Sequence, residues 1–265
     1  MSPNQNPVIE MRDVTIGAMN DPGFVILDKV NWSVARGEFW VIGAPQSSGK
    51  SDFLMTTAGL LPPASGCYKF YGNETRIFDE SRLADRLRMG FIFENAALFH
   101  YLTVAGNVAL PLRYHKNLEP AEGAQAIGEL LEITGLKPVA EMAPANLPRS
   151  WLKRAWLARA LSLHPDILLA DNPLGGLPAL HVHWWLRFLD ELSRGHKGFG
   201  GTPMTVIVTT DDLRPWHNGP RRFALLKDRN FISLGSWDEM VSTNEPLLSE
   251  LLAGPAGPVQ PPASP

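Results

Sequence analysis

Four apolar residues, Phe39 to Ile42, run straight into "GAPQSSGKSD", Gly43 to Asp52, and "KSDFLMTTAGLL" continues with the apolar spacing of a helix that "PPASG" ends. A strand, a turn of small residues and a helix in that order restrict the fold more tightly than any other stretch of the chain. Bare backbone N–H groups at a helix N-terminus, backed by the helix dipole, form a cradle for anions and for phosphate in particular. The spacing G-x-x-x-x-G-K-[ST] completes such a cradle with a lysine for the β and γ phosphates and a hydroxyl for magnesium. Gly49, Lys50 and Ser51 satisfy the end of that pattern.

Its beginning is irregular. The first glycine is expected at position 44, where the chain has Ala44, with Gly43 one place early. The loop is therefore either one residue longer or short of a glycine. Gln46, Ser47 and Ser48 stand where glycine would ease a tight backbone and close phosphate approach. Asp52 follows the hydroxyl and brings negative charge toward the α-phosphate, where repulsion grows once water is excluded.

Strand patterns surround this loop. "NPVIEMRDVTI", "FVILDKVNWSVARGEFWVIG", "CYKFYG", "LRMGFIFEN", "DILLAD", "MTVIVTTD" and "RRFALLKDRNFISLG" cluster β-branched and aromatic residues between Gly, Asp and Pro punctuation. From Thr103 to about Pro165 the period turns helical, with "EGAQAIGELLEITGL" and "WLKRAWLARALSL" the clearest stretches, and Trp184 to Ser193 is a further helix. Strands alternating with helices predict an α/β domain with a mainly parallel core sheet. The domain is expected to span 1–252, with "AGPAGPVQPPASP" a disordered tail.

Composition narrows the partners. Lys and Arg number 24 against 27 Asp and Glu, so the chain carries no electrostatic footprint for nucleic acid. The single cysteine, Cys67, excludes an internal disulfide and suits a reducing compartment, where it reads as a small packed side chain. No membrane-spanning run or signal-peptide pattern is present, so the expected site is the cytosol, held to a membrane only through a partner. The histidines are scattered, and "HVH" at 181 to 183 has no further ligands nearby. Trp151, Trp156, Trp184 and Trp185 fall at helical spacing and read as packing.

Beyond the loop, "AGLLPPASG", "LARALSLHPDILLADNP" and "VIVTTDDL" fall in the order and spacing of the ATP-binding subunits of ABC transporters, which this chain resembles up to about Leu252. Within them, "GFIFENAALFHYLTVAGNVALPLRYH" is similar to the ATP-binding proteins of Mla-like, MCE-type phospholipid transporters. The resemblance implies a P-loop NTPase fold of the ABC type, with an antiparallel β subdomain and an inserted helical lobe over about 103–165. It also implies ATP and magnesium, head-to-tail pairing with a second ATP-binding subunit, and an integral-membrane permease on the inner face of the cell membrane. An MCE substrate-binding protein is then an indirect partner.

Carried over residue by residue, Gly43, Ser47, Ser48, Gly49, Lys50, Ser51 and Asp52 are the nucleotide-binding loop, and Ser51, Asp171 and Glu94 are the magnesium positions. Asp171, at the end of "ILLAD", is kept. The family's glutamine after "GF-x-F" is Glu94, its signature "LSGGQ" is "LPRSW" with Pro148 and Arg149, and its loop aspartate is Pro178. The catalytic glutamate is Asn172, and the switch histidine is Thr210. An amide orients water but does not accept its proton, and loss of a general base costs roughly a hundred- to ten-thousandfold in rate. The nearest aromatic for adenine is Phe24. The expectation is a subunit that keeps dimerisation and permease coupling while hydrolysing ATP very weakly. Two alternatives stay open: an active ATPase in which Glu94 replaces the missing base, and a scaffold that no longer binds nucleotide.

Overall fold

The computed structural model describes residues 7–74, 83–94, 96–116 and 120–253, so the expected tail beyond 253 lies outside the described residues. Three apolar runs organise everything else. β3 (Phe39–Gly43), β7 (Ile167–Asp171) and β8 (Thr205–Thr210) are buried along their whole length, as strands covered on both faces must be. They sit side by side in a six-stranded sheet with β6 (Met89–Ile92), β9 (Arg222–Lys227) and β10 (Asn230–Gly235), in the order β10-β9-β3-β8-β7-β6. Every pair is parallel except β9 with the edge strand β10.

Alternation along these strands divides two cores. Phe39, Val41, Leu168, Ala170, Val206 and Val208 face one, where they meet helices. Trp40, Ile42, Ile167, Leu169 and Ile207 face the other. That second core joins α1 (Lys50–Thr57), through Phe53 and Leu54, to an antiparallel sheet of β1 (Ile9–Ala18), β2 (Asp21–Val34), β4 (Ser65–Phe70) and β5 (Asn73–Glu74). Trp32 of β2 fills its centre against Trp40, Phe53 and Phe231, with ring centroids 5.3–5.5 Å apart. Cys67, on β4, is half-buried.

The short helix α2 (Leu83–Arg86) precedes β6. Among the described residues three α-helices then lie between β6 and β7: α3 (Val104–His115), α4 (Pro120–Ile133) and α5 (Arg149–Leu161). Thr103 caps α3 by accepting the Gly106 N–H. Asn107, fully buried, accepts the Phe99 N–H and donates to the carbonyls of Phe99 and Thr103, which ties the segment after Glu94 onto the lobe. Helix α6 (Ala179–Arg194) follows β7, and α7 (Trp237–Val241) and α8 (Pro246–Ala253) are the last elements among the described residues. Among the described residues no helix is long and apolar enough to cross a membrane.

Element boundaries differ from the sequence reading at two places. Helix α6 begins at Ala179, not Trp184, because Pro178 supplies an N-cap whose φ suits a helix start. Helix α1 stops at Thr57, since Gly59 turns left-handed. Strand β3 begins at Phe39, where the apolar run begins, and the Glu38 carboxylate before it accepts the Ala35 N–H and the Trp40 indole N–H. The four tryptophans do pack: Trp156 and Trp185 are buried, while Trp151 and Trp184 flank the Arg154 guanidinium at 5.3 and 3.9 Å.

Candidate functional site

Strand register assembles the site. Gly43 at the end of β3 is paired with Thr210, and Asp171 at the end of β7 with Thr209, so three adjacent parallel strands deliver the loop and two polar residues to one edge. Ligands of open α/β sheets bind at such carboxyl ends.

The loop resolves the question its spacing raises. Ala44 donates its N–H to the Thr210 carbonyl at 2.9 Å and is fully buried, so it continues the sheet and the turn starts at Pro45. Gly43 does not line the cleft formed around Lys50. A Cβ there would come within 3.0 Å of Leu225 and Leu251, so its small size serves packing against β9 and α8. Ser47 takes φ +59°, a left-handed conformation that glycine reaches more easily, and Ser48 Oγ braces the turn by donating to the Pro45 carbonyl at 2.7 Å. Gly49 is required twice: its φ is +85°, and a Cβ would lie 2.0 Å from Ile26 Cγ2. Gly49→Ala should therefore destabilise the fold by about 2–3 kcal/mol in chemical denaturation, and adding Ile26→Ala should return only the steric part.

Lys50 Nζ donates to the carbonyls of Ala44 (3.0 Å) and Pro45 (2.5 Å), folded into its own loop. Burial lowers its proton affinity, opposed by the charges of Asp211, Asp171 and Glu94. Ser51 Oγ donates to Asp171 Oδ2 at 2.5 Å, and Thr209 Oγ1 donates to Asp171 Oδ1 at 2.7 Å. Residues 46–52 line a cleft of about 430 Å³ together with Ile26, Glu94 and Asp211. Ser51, Asp171 and Glu94 offer only hard oxygen donors, a set that fits magnesium. Asp52 has a structural partner that the sequence did not reveal: its Oδ1 accepts the Met19 N–H at 2.8 Å, tying α1 to the β1–β2 turn. Phe24 is largely exposed and lines neither this cleft nor its neighbour.

The neighbouring cleft, about 410 Å³, shares Gln46, Glu94 and Asp211 and adds Arg149, Asn172 and Thr210. Asn172 is buried at φ +43°, and its Nδ2 donates to Glu94 Oε1 at 2.7 Å. Thr210 Oγ1 is turned onto its own strand end, donating to the Asp212 carbonyl and accepting the Asp212 N–H. Arg149 opens α5 next to Pro148 and reaches toward Gly176. Among the described residues no three His, Cys, Asp or Glu side chains are grouped to hold a metal ion by themselves.

Sequence reasoning passed over Lys153. It lies on the α5 stripe of Ser150, Leu157 and Leu161, all buried, and a lone cation on an otherwise covered stripe was the available signal. Its Nζ donates to the carbonyls of Asn172 (3.0 Å) and Pro173 (3.1 Å), fixing the turn after β7. Burial, then the Arg149 charge, push its ammonium down to about 8. Unfolded, the group keeps its proton up to its ordinary value of 10.5. Between those two pH values the unfolded chain binds more protons, so this group's contribution to stability rises with pH. Unfolding free energies at pH 7.5 and 9.5 should show the difference between wild type and Lys153→Met growing in favour of wild type by about 1 kcal/mol per pH unit.

Comparison with known proteins agrees with this geometry. The family model described as ABC transporter matches residues 27–175, more than half of the chain. The intermembrane phospholipid transport system ATP-binding protein MlaF of Escherichia coli (strain K12) is 29% identical over 254 residues, covering 95% of this chain and 91% of that protein. Its counterpart from Haemophilus influenzae is 28% identical over 259 residues, covering 97% and 94%. Among solved structures, a dimeric ATP-binding cassette in a post-hydrolysis state, bound to ADP and Pi, superposes with a TM-score of 0.73 at 28% identity, covering 84% of this chain and 95% of that one. With a family model matched over more than half of its length, the chain belongs to the ABC transporter family as an ATP-binding subunit.

Proposed function

We propose that the chain is the ATP-binding subunit of an MCE-type phospholipid transporter, that it binds Mg-ATP in the cleft around Lys50, and that it hydrolyses ATP slowly. The carrying observation is the division within the site. Lys50 and Ser51 line one cleft, with the buried Asp171 behind it accepting the Ser51 hydroxyl, while the position beyond Asp171 presents the Asn172 amide. Gly49 N–H and its neighbours at the start of α1 bind phosphate oxygens, Lys50 leaves the Ala44 and Pro45 carbonyls for the terminal phosphates, and Ser51, Asp171 and Glu94 hold magnesium. That ion supplies the positive charge that the cleft, with Asp52, Glu94 and Asp211 on its walls, needs in order to accept a polyphosphate. Slow hydrolysis follows from an amide at 172 and a short hydroxyl at 210 that is engaged locally.

Support for a permease partner comes from the lobe. Phe99, Pro111 and Tyr114 border a cleft of about 490 Å³ with Met89 and Phe91, and Phe99 and Tyr114 are exposed aromatics beside the segment that carries Glu94. The permease, a second ATP-binding subunit and, indirectly, an MCE substrate-binding protein are the proposed assembly, on the inner face of the cell membrane. Calorimetric titration with Mg-ATP tests the nucleotide part. Saturable binding is expected, and no heat at millimolar ATP would overturn it.

A further inference from the structure

Helices α3 and α4 do not close on each other along their whole length. At one end they share a core, to which Val104 and Val108 of α3 and Leu130 and Leu131 of α4 all belong. Beside that core a cleft of about 780 Å³ stays open, walled by Ala105, Ala109 and Leu112 on α3 and by Ala124, Ile127 and Leu131 on α4. It shares no lining residue with the two clefts around Glu94, or with the one bordered by Phe99 and Tyr114. Its volume is in the range of cavities that enclose a small molecule.

Two features of the cleft say what it holds. The first is space that packing does not require. Gly123 and Gly128 line the cleft from α4, and a Cβ at either would meet no neighbour within 4 Å. Neither takes a positive φ, so the backbone does not call for glycine there either. Glycine inside a helix is unfavourable relative to alanine, and here it leaves the wall without side chains. The second feature is polarity from end to end. Arg113 and Lys116, at the C-terminal end of α3, line one end of the cleft, and α4 starts at Pro120 with the positive end of its dipole. Among the described residues neither cation makes an ion pair or a side-chain hydrogen bond. Glu141 lines the opposite end, where the Val104 and Ala105 N–H groups donate to the Met142 and Ala140 carbonyls. From Ala105 to Lys116 the helix runs about 16 Å.

We propose that this cleft binds a single-chain amphiphile with an anionic head. A carboxylate or phosphate sits at Arg113 and Lys116, and the unbranched hydrocarbon chain lies between α3 and α4 toward Leu131. Charge complementarity sets the direction, since a head at the other end would face Glu141. The site is built without any residue of the nucleotide clefts, so its test stands whether or not Mg-ATP binds at Lys50.

Calorimetric titration of the full-length chain with sodium myristate, below its micelle-forming concentration, should give saturable binding. Tetradecyl phosphate carries a chain of the same length on the other head. Binding of either supports the proposal, and the tighter of the two identifies the head. Tetradecyltrimethylammonium, whose head is cationic, and the variant Arg113→Gln with Lys116→Gln should each lower affinity roughly tenfold or more. Ala124→Leu with Gly128→Leu fills the cleft from α4 with a good helix former. It should abolish binding and leave the unfolding midpoint no lower than that of wild type. A wild-type chain that saturates with neither anionic amphiphile overturns the proposal and leaves a protein segment as the occupant. So does equal affinity for the cationic amphiphile, or binding that survives in the filled variant.

Discussion

Lys50→Ala should weaken Mg-ATP binding by roughly a hundredfold, enough to remove a saturable calorimetric signal. Among the described residues Lys50 is the only cation lining its cleft, against Asp52, Glu94 and Asp211. A charge-assisted hydrogen bond contributes about 1.5–3 kcal/mol, and the upper end applies where a buried ammonium faces phosphate. Each 1.4 kcal/mol is about tenfold in affinity. The fold itself should tolerate the change, because the lost contacts are two loop carbonyls, Ala44 and Pro45, at the end of a sheet that pairs without them. Circular dichroism unchanged alongside lost binding would assign the effect to charge. Binding that survives in Lys50→Ala would place the phosphates elsewhere.

Trp185→Ala should be the most damaging single change to stability, costing about 3–5 kcal/mol in chemical denaturation. Trp185 is completely buried on α6 in the helix-side core, edge-on to Trp184 at 6.0 Å. Among the described residues its indole N–H has no hydrogen-bond partner. Trp185→Phe therefore removes ring volume and also an unpaired buried donor, two effects of opposite sign, and should cost no more than about 1 kcal/mol. A Phe variant as unstable as the Ala variant would mean that the indole N–H is bonded after all.

The sheet was legible because its strands are unusual as sequence. "FWVIG" and "ILLAD" are apolar up to their last residue and "TVIVTT" is β-branched throughout, as strands covered on both faces read. The lysine-serine end of the loop was legible too, since its residues are adjacent in sequence. What escaped depends on contacts made at long range. Glu94 and Asn172 are 78 positions apart, and neither residue alone discloses the hydrogen bond between them. Asp52 reads as a misplaced charge until the Met19 N–H, 33 positions earlier, is found at 2.8 Å. Gly43 reads as the first glycine of a phosphate loop, because sequence does not distinguish a glycine needed for a ligand from one needed for Leu225 and Leu251. Lys153 was hidden by its helix, where a lysine ordinarily points to water.

With its ammonium already committed to Ala44 and Pro45, the free protein does not present an empty cation to an arriving nucleotide. Association is an exchange of partners, and its net driving force is the difference between phosphate oxygens and peptide carbonyls. The exchange also moves a proton. Burial holds the Lys50 ammonium below its ordinary proton affinity in the free state, whereas the negative charge of a phosphate restores it. In alkaline solution, association must then draw hydrogen ions from the buffer, and the measured heat will carry the ionisation enthalpy of whichever buffer supplies them.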